Sequence, residues 1–310
     1  MSEAAPRILV IKLGALGDFV QAMGPAAAIR AHHKGARITL LTSVPLAAFA
    51  RKAPYFDEVW VDERPGLMAP RAILALRRRL RGAGFARVYD LQTSDRSSAY
   101  FRLMGPGRRP EWSGIAAGAS HPHNNPGRDR MHTLDRQTEQ LRRAGIAEVP
   151  PPDLSWAAAE IAPFRLPPAF ALLVPGGAAH RPEKRWPVER YAALALRLAA
   201  AGEAPVVIGG AAERPLGAMI AAAAPGARDL TGQTSLGEVV GLGLAARRAI
   251  GNDTGPMHLL AVAGCPVTVL YSAASDPALT APRGPDVTIL RRADLADLPV
   301  EEVAATLRMG

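Results

Sequence analysis

The feature that most constrains the fold of this 310-residue chain is an alternation of short apolar runs with longer amphipathic segments. Four runs in the first half have the length and composition of buried strands, at 8–13, 36–42, 58–63 and 87–92. Between them lie segments whose apolar residues recur every three or four positions, as in amphipathic helices. Strand and helix units repeated in this way predict a parallel sheet covered by helices on both faces.

The alternation is interrupted twice before it resumes. Residues 105–130 are rich in Gly, Pro, Asn and Arg, which predicts a long surface loop, and a helix is expected near 132–146. Residues 149–168 contain six prolines and little periodicity, so a linker between two domains is expected there. Strand and helix patterns return at 170–177 (FALLVPGG) and continue to 287–292.

We therefore predict an α/β protein built from two doubly wound, Rossmann-like domains. The first domain is expected at 1–155, the second at 156–298 and a terminal helix at 299–310. Ligands of such sheets bind outside the carboxyl ends of the strands, and with two domains the deepest crevice is expected between them.

The basic charge is concentrated in the first half of the chain. Residues 1–150 contain 23 Lys and Arg against 13 Asp and Glu, whereas residues 151–310 contain 14 against 15. This asymmetry favours an anionic partner for the first half, which could be nucleic acid, a membrane surface or an acidic substrate. A solvated basic surface with no partner is the alternative.

The sequence also bears on the compartment. No apolar run approaches the roughly 18 to 20 residues that a bilayer requires, and the N-terminal MSEAAPR has no extended apolar region. The single cysteine, Cys265, excludes an internal disulfide and fits a reducing compartment. We therefore expect a cytoplasmic protein in which Cys265 is a packing residue.

The first strand runs into KLGALGD (12–18), which matches neither of the usual phosphate-binding loops. No Lys-Ser or Lys-Thr pair follows, and Gly14 and Gly17 do not form a GxGxxG fingerprint. Asp18 is expected at the N-terminus of a helix, where an aspartate is a favoured N-cap. The functional alternative is a general base, because the helix dipole would keep this carboxylate ionised.

Two segments of the second half are expected to bind an anion. In GNDTGPMH (251–258), Thr254 and Gly255 would present a hydroxyl and free backbone N–H groups at the start of a helix, although a simple capping turn would have the same sequence. The loop PGGAAHRPEKRWP (175–187) favours phosphate binding over a bare basic loop, because its glycines permit close approach. Its cations are His180, Arg181, Lys184 and Arg185.

Other patterns are weaker. Glu213 follows a strand where doubly wound folds place an acid that binds ribose hydroxyls. His121, His123 and His132 suggest a metal site only faintly, since no cysteine accompanies them and no Asp-x-Asp motif occurs; we therefore predict no metal and no cofactor.

The segment 70–84 predicts a helix with an apolar face and an arginine-rich face. Ile73, Leu76 and Leu80 are expected to face inward. The residues expected to face outward are Arg77, Arg78, Arg79 and Arg81. Such a face is usually only solvated, but it would also suit anionic lipid.

Together these motifs are similar to those of glycosyltransferase family 9, the ADP-heptose:lipopolysaccharide heptosyltransferases. The matching elements occur in the family's order: GALGD, HTLDRQ, EKRWP, GGAAE, DLTGQTSLGEVV, GNDTGPMHLLAVAG and PVEEV. The D-T-G-P-x-H element is the most specific of them. The resemblance implies the GT-B architecture, in which two Rossmann-like domains face each other across a cleft.

The resemblance also implies roles for individual residues. Asp18 matches the catalytic base of an inverting, metal-independent heptose transfer from ADP-heptose to the inner core of lipopolysaccharide, and Lys184 matches the lysine that assists the leaving group. The residues that match the donor site are Lys184, Glu213, Asp253, Thr254, Gly255 and His258. Candidates on the side of the anionic Kdo-bearing lipid A acceptor are Gly14, Gly17, Arg128, Arg130, His132 and Arg136. The expected location is the cytoplasmic face of the inner membrane.

Two other functions remain open from the sequence. One is a GT-B transferase or epimerase that uses a different nucleotide sugar, such as a UDP-hexosamine. The other is a noncatalytic basic module that binds membrane or nucleic acid. The sequence has no zinc-finger, helix-turn-helix or aromatic-rich strand signature, so nucleic acid is not an expected partner.

Overall fold

The computed structural model describes residues 5–66, 68–105, 107, 109–178 and 180–307. The chain divides into two compact units, Met1–Pro152 and Asp153–Gly310. The division falls within the proline-rich segment at 149–168.

The first unit is built around a parallel sheet of six strands in the order β3-β2-β1-β4-β5-β6. The strands are β1 (Arg7–Ile11), β2 (Arg37–Ser43), β3 (Glu58–Asp62), β4 (Arg87–Asp90), β5 (Glu111–Gly114) and β6 (His121–Pro122). The central strand β1 pairs Ile11 with Leu41 of β2 and with Asp90 of β4. Four of its five residues are buried, as expected for a strand covered on both faces.

Helices connect the strands of this unit. They are α1 (Leu16–Gln21), α2 (Met23–His32), α3 (Val44–Ala50), α4 (Pro70–Gly82), α5 (Asp95–Met104) and α6 (Thr133–Arg143), with a 3-10 turn at Arg128–Arg130. Helix α5 begins with a capping box, in which the side chains of Ser94 and Ser97 each accept the other residue's backbone N–H. In α4, Leu80 is buried whereas Ile73 and Leu76 are half-buried.

The prediction of a surface loop at 105–130 is wrong, because this segment supplies two strands of the sheet. Strand β5 pairs with β4 and aligns Trp112 with Val88, and β6 pairs with β5. Trp112 is fully buried, and its ring packs edge-on against Phe101 with centroids 5.2 Å apart. Strands of four and two residues are too short to show a periodic pattern among glycines and prolines.

The second unit repeats this topology with a sheet ordered β12-β11-β10-β7-β8-β9, also parallel throughout. The strands are β7 (Phe170–Val174), β8 (Ala204–Val207), β9 (Arg228–Asp229), β10 (Arg248–Asn252), β11 (Val267–Tyr271) and β12 (Val287–Arg291). Counted within each unit and read from the matching edge, both sheets have the strand order 3-2-1-4-5-6, which is the doubly wound order.

The helices of the second unit are α7 (Val188–Ala200), α8 (Arg214–Ala223), α9 (Leu236–Ala245), α10 (Gly255–Val262), α11 (Pro277–Thr280) and α12 (Val300–Thr306). Short 3-10 turns lie at Ser155–Ala157, Ala162–Phe164, Pro182–Lys184, Ala211–Glu213 and Leu295–Asp297. The terminal helix α12 packs on α7 of this unit, where Val303 shares a buried apolar cluster with Tyr191 and Leu194. The indole of Trp186 also donates a hydrogen bond to the Leu298 carbonyl at 2.9 Å.

Cys265 lies between α10 and β11 and is buried, as expected for a packing residue. Burial raises the pKa of its thiol to about 12, so the thiol is inert near neutral pH. In the part of the chain that the structure describes, no helix combines the length and the apolar character needed to span a bilayer.

Two helical glycines of the first unit predict opposite effects of the same substitution. A Cβ at Gly24 in α2 would lie 2.2 Å from the Pro150 carbonyl oxygen, whereas a Cβ at Gly82 in α4 would meet no atom within 4 Å. We expect Gly24→Ala to lower the free energy of unfolding by about 1–3 kcal/mol through overpacking. Gly82→Ala is expected to raise it by roughly 0.5 kcal/mol through helix propensity. Urea denaturation measures both changes in the free energy of unfolding. Equal effects of the two substitutions would show that α2 does not pack tightly against Pro150.

Candidate active site

In each sheet the order in which successive strands are added reverses at one place. This place lies between β1 and β4 in the first unit and between β7 and β10 in the second. Ligands of open α/β sheets bind outside the carboxyl ends of the strands at this switch point. Asp18 follows β1, Lys184 follows β7, and Asp253 follows β10. The predicted catalytic and donor-binding residues are therefore at the edges where ligands of this fold bind.

Asp18 lies half-buried in the first turn of α1. The alternative that it is the N-cap is wrong, because Ala15 has that position and the cap contains no side-chain hydrogen bond. Among the described residues, none donates a hydrogen bond to the Asp18 carboxylate. A carboxylate at a helix N-terminus with free lone pairs can accept a proton from a bound hydroxyl.

The turn between β1 and α1, which leads to Asp18, is held by hydrogen bonds on two sides. The backbone N–H of Leu13 donates to Gln92 Oε1 at 2.8 Å, and the Leu13 carbonyl accepts a hydrogen bond from the Arg64 guanidinium at 3.1 Å. Gly14 has a φ of +132°, which only glycine adopts readily. Gly14 and Gly17 are both buried.

Lys12, which sequence analysis did not single out, is buried directly before this turn. Lys12 is only 3% exposed, and its Nζ donates a hydrogen bond to the Leu91 carbonyl at 3.2 Å. Burial lowers the pKa of its ammonium group, and the negative charges of Asp18 and Asp90 oppose this effect. Lys12 is therefore attracted by both carboxylates.

Asp90 is the second residue that the sequence did not reveal, because it reads there as part of a strand. It ends β4 and is fully buried. Its Oδ1 accepts hydrogen bonds from the backbone N–H groups of Thr93 at 2.9 Å and Gln92 at 3.1 Å. Burial raises the pKa of its carboxyl group to about 6, although these hydrogen bonds and Lys12 favour the ionised form.

Four basic residues are candidates for binding the acceptor substrate. Two of them, Arg128 and Arg136, lie close enough to Lys12 for their charges to lower its pKa. Arg128 donates to the Thr93 hydroxyl, and burial together with the charge of Arg136 lowers the pKa of its guanidinium. Arg136 is half-buried at the start of α6. Positive charge therefore accumulates at the carboxyl edge of the first sheet, as an anionic ligand would require.

The other two candidates have different environments. His132 is the N-cap of α6, and its Nδ1 accepts the backbone N–H of Leu134 at 3.2 Å. This bond requires Nδ1 to be unprotonated, so the imidazole has a structural task. Arg130 is exposed at the end of a 3-10 turn.

In the second unit, Lys184 and Asp253 form an ion pair of 2.6 Å between Nζ and Oδ2. The hydroxyl of Ser275 donates to the same Oδ2 at 2.7 Å. The two charged side chains are 14% and 10% exposed, so the pair is partly shielded from water but can still be reached. Both charged residues are predicted from the sequence, whereas their pairing and the contact with Ser275 are not.

Asn252, the last residue of β10, organises this region and was also missed. Its Oδ1 accepts hydrogen bonds from the Trp186 backbone N–H and the Tyr191 hydroxyl, both at 3.0 Å. Its Nδ2 donates to the carbonyls of Pro175 at 2.9 Å and Gly176 at 3.1 Å. One fully buried amide therefore joins the end of β10 to the loop after β7 and to the start of α7.

The turn after β10 offers backbone donors. Thr254 is the N-cap of α10, and its side chain makes no capping hydrogen bond. Neither Thr254 nor Gly255 donates its backbone N–H to an acceptor within the described residues. Free N–H groups at a helix N-terminus attract anions. His258 lies one turn further along α10 and is buried.

Glu213 lies against the loop that follows β7. A Cβ at Gly176 would be 2.7 Å from Glu213 Cγ, so glycine is needed for this approach. Glu213 Oε2 accepts the backbone N–H of Gly210 at 2.7 Å. Its Oε1 accepts no hydrogen bond from any residue described, and is therefore available to a ligand hydroxyl.

Two other cations of this loop hold it in place through backbone carbonyls. Arg181 donates to the Ala274 carbonyl at 2.7 Å, and Arg185 donates to the Gly177 carbonyl at 2.5 Å. His180 is exposed. Lys184 is thus the cation of this loop whose charge lies beside Asp253.

The three histidines that faintly suggested a metal have separate partners. His121 Nδ1 is 3.0 Å from the Ser120 hydroxyl, and His123 is buried with Nε2 3.6 Å from Glu139 Oε1. Over the described ranges, no group of three or more His, Cys, Asp and Glu residues is placed to hold a metal ion.

Comparison with known proteins identifies relatives. A family model described as glycosyltransferase family 9 (heptosyltransferase) matches residues 73–305, and this is the family that the sequence motifs resemble. Lipooligosaccharide heptosyltransferase 2 of Haemophilus influenzae is 37% identical to the chain over 120 residues. That match covers 37% of the chain and 34% of the relative, so it spans about one third of the relative's length.

Solved structures of similar fold cover nearly the whole chain. The structure of E. coli ADP-heptose LPS heptosyltransferase II has a TM-score of 0.80 at 23% identity and covers 97% of this chain and 98% of that one. A glycosyl transferase family 9 structure from Veillonella parvula DSM 2008 has a TM-score of 0.84 at 21% identity, covering 99% and 98%. The predicted fold class, GT-B with two Rossmann-like domains, is confirmed.

We expect Asn252→Ala to destabilise the second unit severely. The substitution leaves buried donors and acceptors of Trp186, Tyr191 and the loop after β7 without partners, each costing about 1–3 kcal/mol. A loss on the order of 3 kcal/mol or more is expected in urea denaturation. Tyr191→Phe, which removes one of these bonds, is the matched control and should cost about 1 kcal/mol. Similar losses in both variants would show that Asn252 is not the centre of this network.

Proposed function

Since the chain belongs to glycosyltransferase family 9 (heptosyltransferase), we propose that it transfers a heptose from ADP-heptose to the inner core of lipopolysaccharide, with inversion at the anomeric carbon. The observation that carries this proposal is the turn after β10, where free backbone N–H groups adjoin a lysine fixed by a carboxylate. Such a turn suits the diphosphate of a nucleotide sugar. ADP-heptose is also the donor for which the E. coli enzyme of the same fold is named.

The donor's diphosphate would bind the N–H groups of Thr254 and Gly255 and the ammonium of Lys184. An ammonium group has three hydrogen-bond donors, and only one is used by Asp253, so two remain for phosphate oxygens. These groups would stabilise the negative charge that develops on the leaving ADP. In this scheme they do the work that a divalent cation performs in metal-dependent transferases, and the proposed reaction is metal-independent.

The rest of the donor would be recognised by polar groups around this turn. Glu213 Oε1 would accept a hydrogen bond from a ribose hydroxyl, since its other oxygen is used by Gly210. We assign Asp253 and His258 to the diphosphate and heptose region, because they flank the same turn.

The chemical step requires a base for the acceptor, and we propose Asp18. The acceptor oxygen forms a bond to the anomeric carbon of the donor while the bond from that carbon to the β-phosphate oxygen breaks. The hydroxyl proton passes to the Asp18 carboxylate, and ADP leaves with the bonding electron pair. Two features support this role: Asp18 accepts no hydrogen bond from the described residues, and a positive charge lies beside it on Lys12.

The acceptor would be an anionic, Kdo-bearing lipid A core. Arg128 and Arg136 support this, because their charges lie at the edge of the sheet from which Asp18 emerges. Gly14 and Gly17 would let the sugar approach the backbone of the turn, and Arg130 and His132 remain weaker candidates. The excess of Lys and Arg in residues 1–150 fits a substrate with carboxylates and phosphates.

We predict that Asp18→Asn abolishes transfer while ADP binding stays unchanged, because the substitution removes the base but not the donor site. Lys184→Ala should instead weaken ADP binding and lower turnover. Transfer is measured by mass spectrometry with ADP-heptose and a Kdo-bearing lipid A acceptor. Binding is measured as the rise in melting temperature with ADP, and about 2.7 kcal/mol is expected at 100 times the dissociation constant.

Three results would contradict this scheme. Turnover of Asp18→Asn within about tenfold of the original enzyme would show that the base lies elsewhere. Stabilisation by UDP and not by ADP would favour a transferase or epimerase of UDP-sugars. A strict magnesium requirement in the unmodified protein would exclude the metal-independent step.

We further propose that α4 contacts the cytoplasmic face of the membrane that carries the acceptor. Arg71, Arg78 and Arg81 are exposed and, at helical spacing, lie on the same side as Leu74, which is 48% exposed. Met68, just before the helix, is 96% exposed. Cations around exposed apolar side chains suit a surface of anionic lipid, whose headgroups attract the charges while the apolar groups enter the interface.

We expect replacement of Arg71, Arg78 and Arg81 by Gln to weaken binding to vesicles with anionic lipid by on the order of a hundredfold. Each basic residue near such a surface contributes about 1 kcal/mol. Vesicle sedimentation measures the effect, which high salt should abolish. The matched control replaces the exposed Arg51, Arg102 and Arg142 of the same unit by Gln. Equal losses in both triple variants would show that net charge, and not this face, governs binding.

A further inference from the structure

We propose that Lys12 and Asp90 are positioning residues for Asp18: they fix the turn between β1 and α1 and keep a buried positive charge beside the base. This inference rests on the proposed function, in which Asp18 accepts the acceptor's proton. Neither Lys12 nor Asp90 is proposed to touch a substrate.

Lys12 links the end of β1 to both neighbouring strands. Its backbone N–H donates to the Leu41 carbonyl of β2 at 3.0 Å, while its Nζ donates to the Leu91 carbonyl just after β4 at 3.2 Å. The next residue, Leu13, donates its N–H to Gln92 Oε1. The segment that leads to Asp18 is therefore tied to both neighbouring strands.

Asp90 in turn holds the segment to which Lys12 is tied. Its Oδ1 accepts the backbone N–H groups of Gln92 and Thr93. Thr93 has a φ of +47°, a left-handed conformation that costs a non-glycine residue about 1–2 kcal/mol. Gln140 of α6 also donates to the Asp90 carbonyl at 2.9 Å. A conformation of this kind persists only when its surroundings hold it, and the Asp90 carboxyl group does so together with Arg128, which donates to the Thr93 hydroxyl.

The charge of Lys12 also bears on the position of Asp18. Burying an ammonium group is costly, and an apolar side chain of similar size, such as methionine, would avoid the cost. The charged groups that act on Lys12 are Asp18 of α1, Asp90 of β4, Arg128 of the 3-10 turn and Arg136 of α6. Lys12 and Asp18 lie in the same strand-to-helix connection. The attraction of Lys12 for the Asp18 and Asp90 carboxylates offsets part of the burial cost and favours the position of Asp18 in that connection.

The test compares kcat, KM and ADP binding. For Lys12→Met we expect kcat at neutral pH to fall about tenfold, because the turn is no longer fixed, while KM and the ADP-induced rise in melting temperature stay unchanged. Lys34→Met removes an exposed lysine of the same unit and should leave kcat and KM unchanged.

Asp90 provides a second, independent pair of variants. Asp90→Asn keeps an oxygen that can accept the two N–H groups, so it should retain most of the activity. Asp90→Ala removes that acceptor and should lower kcat about tenfold without changing ADP binding. A purely structural role would not produce a defect confined to kcat that asparagine rescues.

The outcomes separate this inference from the function on which it rests. If Asp18→Asn is inactive while Lys12→Met keeps its kcat, only the positioning role is overturned. If Asp18→Asn remains active, the proposed base and this inference both fail. If Lys12→Met does not fold, the Asp90 pair decides: equal activity of Asp90→Asn and Asp90→Ala overturns the proposal, and rescue by asparagine supports it.

Discussion

The parallel pairing of β1 with β4, and of β7 with β10, is the constraint on which the rest of the structure depends. Parallel strands bring their carboxyl ends to one edge, so side chains far apart in sequence meet there. Lys12 and Asp90 come together in this way, as do Lys184 and Asp253. Both units use the same strand order, and each places its charged residues at the position where that order reverses.

The carboxyl edges of the two sheets differ in how positive charge is arranged there. In the first unit, Lys12, Arg128 and Arg136 gather around two carboxylates, and the pKa of Lys12 and of Arg128 is lowered by burial and by neighbouring cations. In the second unit, Lys184 is neutralised by Asp253, and the attraction for an anion comes from the backbone of the α10 N-terminus. The first edge suits a large anionic molecule, and the second suits a compact diphosphate.

Sequence patterns predicted the fold class, the family and the residues that local motifs contain. Asp18, Lys184 and Asp253 each follow a strand that is apparent from its apolar run. Asn252 was missed because its hydrogen-bond partners lie 61 to 77 residues away, which no local pattern reveals. Asp90 was missed because its importance depends on burial beside Lys12, which belongs to another strand connection. The strands β5 and β6 were missed because they are too short for a periodic pattern, and β5 is anchored by the burial of Trp112. The roles of the site residues in catalysis and binding stay predictions.

In the proposed reaction, the ion pair between Lys184 and Asp253 would affect the release of ADP. If a diphosphate binds at the α10 N-terminus, it must share Lys184 with a carboxylate that is already 2.6 Å away. The carboxylate then acts as an internal competitor, which lowers the affinity for ADP below that of an unpaired lysine. When ADP departs, the ammonium is not left bare in a partly buried site, because its counter-ion is in place. An arrangement of this kind shortens the residence time of the product without loosening the site.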